Sequence, residues 1–239
     1  RNLSRGLGDV YKRQVKKLNL STRDINYTKL NRLFINLVVD YKKVKKILFC
    51  SVVPKSFIII KKFLSKRIRC KCHEVKDLNL KSLIKIKANY KQVGSDRLTN
   101  AISLANNKNN FIILDFGTAT TFDVLIKNVY SGGIIAPGVR LSLNTLSDKA
   151  TLIPKIDLKQ IKNVIGNNTI SAVRSGFFWG YAGLIDNIIY LIKKETRKSF
   201  KVIITGGFSD LFKKSIKTKV NHNKDITING LIKISKLIK

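Results

Sequence analysis

The sequence predicts an α/β fold, and three observations lead to it. Short apolar runs at 47–53, 111–114 and 202–204 have the length and bounding residues of buried strands. Between them lie segments whose apolar residues recur at helical spacing. The two kinds alternate along the chain, as they do in a sheet that carries helices on its faces. A length of 239 residues allows one large domain or two lobes, and it is enough to bury a real core.

The elements follow in order. Positions 28–48 mix apolar and basic residues at helical spacing, with Leu30, Leu33, Phe34 and Leu37 on one face. Ile47 to Val53 reads as a buried strand ended by Pro54, which has no N–H to give to a ladder. Phe57 to Leu64 reads as a helix, and Lys66 to Val75 as a short extended stretch. Leu98, Ala101, Ile102 and Ala105 mark an amphipathic helix, and the polar run Asn106–Asn110 a lobe boundary. Phe111–Leu114 is a strand with a hairpin partner at Phe122–Ile126. A long helix is expected over 170–194, where Gly176, Gly180 and Gly183 line one face and permit close packing of another helix. Val202–Ile204 is a further strand, followed by a Gly-Gly turn and a helix.

Composition narrows the function classes. The formal net charge of +33 invites a polyanion partner, but the lysines are spread through the whole chain among Ile and Asn, with no Arg-rich block. AT-rich codons account for that bias, so nucleic-acid binding is the secondary reading. No apolar run approaches a membrane span, and no signal-peptide pattern opens the chain. Cys50, Cys70 and Cys72 are too few for a disulfide framework, which fits a reducing cytoplasm. The absence of Met and the adapter-like run Asp9-Val10-Tyr11-Lys12-Arg13-Gln14 mark residues 1–14 as a non-native scar. The expected domains are then an N-terminal lobe over 15–109 and a C-terminal lobe over 110–239.

Five motifs could carry chemistry. In Asp115-Phe116-Gly117-Thr118-Ala119 a carboxylate ends a strand and a glycine lets the chain turn tightly, a form that can cradle phosphate while the Asp holds a cation. The competing reading is a plain polar hairpin. In Gly94-Ser95-Asp96-Arg97 an Asp opens a helix, where it is either a cap or a carboxylate kept ionised to take a hydroxyl proton beside an anion-binding Arg. Gly132-Gly133 leading to Pro137-Gly138 is a strand bounded by turns. Thr169, before Ser175-Gly176, is a plain N-cap or a hydroxyl offered to a ligand. Thr205-Gly206-Gly207 would let a flat nucleotide approach the backbone. Cys70-Lys71-Cys72-His73 has poor zinc spacing and no second pair. No P-loop occurs, and with only His73 and His222 a His-based triad is disfavoured.

In order and spacing, these motifs resemble the type III pantothenate kinases over about residues 15–239. Ser51-Val52-Val53-Pro54, Thr151-Leu152-Ile153-Pro154 and the closing Asp225-Ile226-Thr227-Ile228-Asn229-Gly230-Leu231 belong to the same set. The resemblance implies a two-lobed, duplicated ribonuclease-H-like fold of the actin, hexokinase and acetate kinase class, and ATP-dependent phosphorylation of pantothenate to 4'-phosphopantothenate, the first step towards coenzyme A. It implies Asp96 as catalytic proton acceptor and Gly94, Ser95, Asp96, Arg97 and Thr169 at the pantothenate site. Gly117, Thr118, Gly206 and Gly207 would contact ATP, and Asp115 would hold potassium or ammonium, with magnesium accompanying the nucleotide. It also implies a cytoplasmic homodimer with active sites near the subunit interface.

Two departures stand out. The family's opening strand and D-x-G-N-T phosphate loop have no counterpart here, so the chain is expected to be impaired in catalysis. At the family's substrate-contacting Tyr stands Lys87, and Asn89-Tyr90 replaces Asn-Pro, which leaves Tyr90 or Lys87 to serve instead. The alternatives are another kinase of the fold acting on a sugar or polyol, or a non-catalytic transcription accessory protein that binds polyanions.

Overall fold

The computed structural model describes residues 25–36 and 40–238. The expected scar, and the place where the first phosphate loop would stand, lie outside them. The chain forms two compact units that divide between His73 and Glu74, not at the expected 109/110 boundary. Residues 106–109 of the polar run are a connecting loop inside the second unit, and Asn110 opens the strand that follows. There Asn106 turns the chain by accepting from the N–H groups of Lys108 and Asn109.

The first unit contains α1 (Tyr27–Asn36), β1 (Ile47–Phe49), α2 (Pro54–Ser65) and β2 (Cys72–Glu74), with β1 and β2 paired. Its core is Leu30, Ile47, Phe63, Leu64 and Ile68. Two expectations are corrected here. Of the helical segment expected over 28–48, α1 covers the described residues up to Asn36, Leu37 lies outside them, and a 3-10 turn at Tyr41–Lys43, capped by the Asp40 carboxylate, precedes the strand. The strand expected to reach Val53 stops at Phe49, because the Ser51 hydroxyl accepts from the Val53 N–H and turns the chain. Pro54 is therefore the first residue of α2, where its missing N–H costs nothing.

The second unit is built on a six-stranded sheet. Its strands are β3 (Lys85–Ile86), β4 (Asn110–Phe116), β5 (Ala119–Ile126), β6 (Val129–Pro137), β7 (Lys201–Gly206) and β8 (Val220–His222), in the order β3-β6-β5-β4-β7-β8. β4, β5 and β6 are antiparallel neighbours, and β7 and β8 add parallel to β4. Short hairpin turns produce the first arrangement, and helical crossovers produce the second. Five strands ordered 3-2-1-4-5, the first three antiparallel and the last two parallel, are the sheet of a ribonuclease-H-like unit.

The helices are α3 (Ser95–Leu104), α4 (Val139–Lys149), α5 (Thr169–Thr196), the one-turn α6 (Ser209–Phe212) and α7 (Ile226–Ser235). Phe178, Ala182, Ile185, Ile189 and Ile192 of α5 recur every three or four residues and form the buried stripe of that helix. They pack with Ile112, Leu114, Phe122, Val124, Val202 and Ile204. Strand residues alternate between faces, so Ile113 and Asp115 of β4 and Asp123 of β5 point to the other side, where α3 and α7 pack on each other. Gly176, Gly180 and Gly183, expected to admit a packed helix, face open space: no described atom lies within 4 Å of a Cβ built on any of them.

Candidate active site

α3 begins at a bare glycine. Gly94 is the N-cap, with no side-chain capping bond, so Asp96 is not the helix cap. Its carboxylate instead accepts the neighbouring Arg97 N–H at 2.7 Å. Arg97 reaches across to β5, where Nε donates to Asp123 Oδ1 at 2.8 Å and Nη2 lies 2.8 Å from the same oxygen. Tyr130 of β6 donates its hydroxyl to that oxygen at 2.6 Å. Asp123 is fully buried, with 0% of its surface exposed. Burial raises its pKa, while the Arg97 charge and the two hydrogen bonds pull it back. Burial and the adjacent carboxylate push the Tyr130 hydroxyl far above the usual phenol range, so it serves as a donor. Space for the guanidinium comes from Gly133, which faces Asp123 across the β5–β6 ladder. A Cβ there would meet Phe122 O and stand 2.5 Å from Arg97 Nη2.

Asp115 ends β4 beside this cluster. Its carboxyl is raised to about 6, first by burial and then by the charges of Asp96 and Asp123. One hydrogen bond opposes the rise, from Asn100 Nδ2 to Oδ2 at 3.3 Å. The other oxygen faces the β7 turn, where Gly206 has φ +86°, and a Cβ there would stand 2.6 Å from Oδ1. An L side chain is thus excluded at Gly206 both by backbone conformation and by space. The turn is fastened by Gly207 N–H to Phe116 O at 3.0 Å and by Ser209 Oγ to Gly206 O at 2.7 Å. His222 Nε2 also lies 2.9 Å from Ser209 Oγ, and its Nδ1 lies 3.5 Å from Asp210 Oδ1. Ser209 is only 1% exposed and gives its proton to a carbonyl, so this constellation braces the turn and offers no nucleophile.

The structure brings Asp96, Arg97 and Asp115 together with the Gly206 turn. Gly117 and Thr118 form the exposed β4–β5 tip, held where Gly138 lets the Thr118 carbonyl approach closely. Thr169 is not brought into the cluster by any described hydrogen bond. It is the exposed first residue of α5, and the cap is Asn168, in a reciprocal capping box with Ser171. Ser175 turns its hydroxyl back to the Val164 carbonyl. Tyr90 gives its hydroxyl to Lys76 O at 2.8 Å and lines a cavity of about 730 Å³ at the β3 edge. Lys87 is exposed, and its N–H extends the β3–β6 pairing to Tyr130 O. The sequence reading gave no role to Asn100, Asp123, Tyr130 or Thr227. Asp123 carried a usable signal, since an Asp between apolar neighbours in a buried strand needs a cationic partner.

One carboxylate oxygen open to a glycine cradle suits a weakly held cation. Among the described residues no group of three or more His, Cys, Asp or Glu could hold a metal ion by itself.

A ribonuclease-H-like sheet with a carboxylate near the end of its first strand and a glycine turn beside it is the frame of the actin and hexokinase fold class. The comparisons give the family. The sequence model of "Type III pantothenate kinase" matches residues 9–190, and the chain belongs to that family. It is 67% identical over 225 residues to the type III pantothenate kinase of Pelagibacter ubique, covering 94% of this chain and 91% of that one. It is 34% identical over 218 residues to that of Desulfosudis oleivorans, covering 90% and 85%. Among solved structures, a protein from Campylobacter jejuni described as of the Baf family of transcriptional activators superposes with a TM-score of 0.56 at 21% identity, covering 87% of each chain. The activity is ATP-dependent phosphorylation of pantothenate, in coenzyme A biosynthesis.

Proposed function

We propose that Asp96 is the proton acceptor of this reaction and that Arg97 binds pantothenate. The supporting observation is the convergence of α3 and β5: a half-buried carboxylate opens the helix, beside a guanidinium held by a fully buried partner. Asp96 takes the proton of the primary hydroxyl as that oxygen attacks the γ-phosphoryl group of ATP. Arg97, oriented by Asp123 and Tyr130, pairs with the pantothenate carboxylate. Gly117, Thr118, Gly206 and Gly207 supply backbone approach to the phosphates and the nucleoside. Asp115 would hold potassium or ammonium through Oδ1, and such a cation offsets charge on the transferring group. Gly94, Ser95 and Thr169 complete the pantothenate site in this reading.

A cytoplasmic homodimer belongs to the same proposal. It is supported by the open face of α5 at Gly176, Gly180 and Gly183. No helix among the described residues is long and apolar enough to cross a membrane. The test is phosphopantothenate formation by the purified chain in potassium, ammonium and sodium buffers. Activity in the first two that collapses in sodium supports the reading, and equal rates in all three overturn the role of Asp115.

A further inference from the structure

Asp115 is held from an unexpected direction. Asn100, 1% exposed on α3, is the side chain that hydrogen-bonds its carboxylate. An amide can present either its oxygen or its nitrogen, and only the nitrogen can donate to a carboxylate. The carboxylate, which can only accept when ionised, takes the nitrogen, and Thr227, in the first turn of α7, takes the other end of the amide. Its hydroxyl lies 2.7 Å from Asn100 Oδ1 and donates to it, which occupies the amide oxygen and leaves the NH2 group for Asp115 Oδ2. The two links span 127 and 15 residues of sequence, so the contact is made by tertiary packing alone.

That packing is tight. At Gly230, one turn along α7, an added Cβ would collide with the Thr99 carbonyl, so the helices meet backbone to backbone. Lys233, one turn further, donates to Ile102 O and Ala105 O at 2.9 Å each and ties down the C-terminal end of α3. Burial and the two lysyl hydrogen bonds fix α7 against α3 along its length, with Thr227 at one end and Lys233 at the other.

We propose that Thr227, acting through Asn100, is a positioning residue that holds the Asp115 carboxylate with Oδ2 tethered and Oδ1 turned to the Gly206 cradle. Neither side chain need touch a substrate. The C-terminal helix is then part of the catalytic apparatus as well as of the packing. The inference rests on the reading of Asp115 as a residue of the phosphate and cation site.

The test compares Thr227→Val, which keeps the shape and removes the hydroxyl, with Thr227→Ser, which keeps the hydroxyl. Loss of an outer partner of this kind costs about 10–100-fold. Thr227→Val is expected to lower kcat by about that factor with the pantothenate KM changed less than about twofold, and Thr227→Ser to stay near wild type. The rise in melting temperature on adding potassium without nucleotide should also shrink in Thr227→Val and persist in Thr227→Ser. Wild-type kinetics in Thr227→Val overturn the proposal. So does an equal loss in both variants, which marks a packing role, or a loss confined to KM. If wild type ignores potassium while the Val and Ser variants still separate in kcat, the cation reading of Asp115 fails and the relay stands.

Discussion

Replacing Asp115 by Asn should stabilise the protein at neutral pH while disabling it. The structure sets the magnitude. The Asp115 carboxyl is raised to about 6 from an ordinary 3.8, chiefly by burial and by the neighbouring carboxylates. A carboxyl with a higher pKa folded than unfolded is neutral in both states below about pH 4, and there it costs nothing. As the pH rises to about 6 the unfolded chain ionises freely while the folded chain resists, so stability falls, and above that the full cost remains. At 1.36 kcal/mol per unit, a rise of this size corresponds to about 3 kcal/mol. For a chain of this length that is about 6–12 °C in Tm. Asn is nearly isosteric and can still accept from Asn100 through its oxygen. The assay is thermal melting of wild type and Asp115→Asn at pH 4.5 and pH 8, in sodium buffer without nucleotide or magnesium. The variant should melt well above wild type at pH 8 and close to it at pH 4.5. A variant that melts lower at pH 8, or by the same margin at both pH values, would refute the assignment of this cost to the buried charge.

Three further outcomes follow from the same cluster. Asp96→Asn should keep the Arg97 N–H contact and the fold, because Asn also accepts, but lose about 10²–10⁴-fold in kcat, read by phosphopantothenate formation. Asp123→Asn removes the anion that faces Arg97 in a fully buried setting. It should cost about 3 kcal/mol in urea unfolding and raise the pantothenate KM, because the guanidinium loses its anchor. Gly206→Ala combines a disfavoured φ with a clash on Asp115 Oδ1, and should weaken ATP binding, measured by calorimetry, more than pantothenate binding.

Much of this architecture was legible in the sequence, and the failures have physical causes. Phe111–Leu114 and Phe122–Ile126 announced the central hairpin through apolar runs and turn residues, and the ladder extends each only to its polar end. The long helix over 170–194 was legible because its apolar stripe repeats for about four turns. A boundary at 109/110 was expected because a polar loop looks the same whether it separates units or only links α3 to β4, and the compact units divide at 73/74. At the candidate site, Asp96, Arg97 and Asp115 were named from the sequence because each carboxylate stands beside a glycine at the end of an element, and the fold sets their charges close together. Asn100 and Thr227 were not. A mid-helix Asn and a first-turn Thr are ordinary residues, and their significance lies in a contact between helices far apart in sequence. Tyr130 was hidden in the same way, as one aromatic among the strand residues.

The sheet order also decides when in folding the charge at Asp115 is felt. β4 and β5 are joined by a two-residue turn, so the strand that carries Asp115 can pair with its neighbour through local contacts. The Gly206 turn and Thr227 join only after β7 has paired in parallel with β4, across a connection that includes the whole of α4 and α5. Such distant closures form slowly compared with hairpins. Desolvation of the carboxylate therefore belongs to the later stages of assembly. A cost incurred after the rate-limiting barrier is expressed in the unfolding rate, and one incurred before it in the folding rate. The closure that buries Asp115 is itself the slow step, so its charge should both slow folding and shorten the life of the folded state at neutral pH, and a cation bound at Oδ1 would lengthen that life.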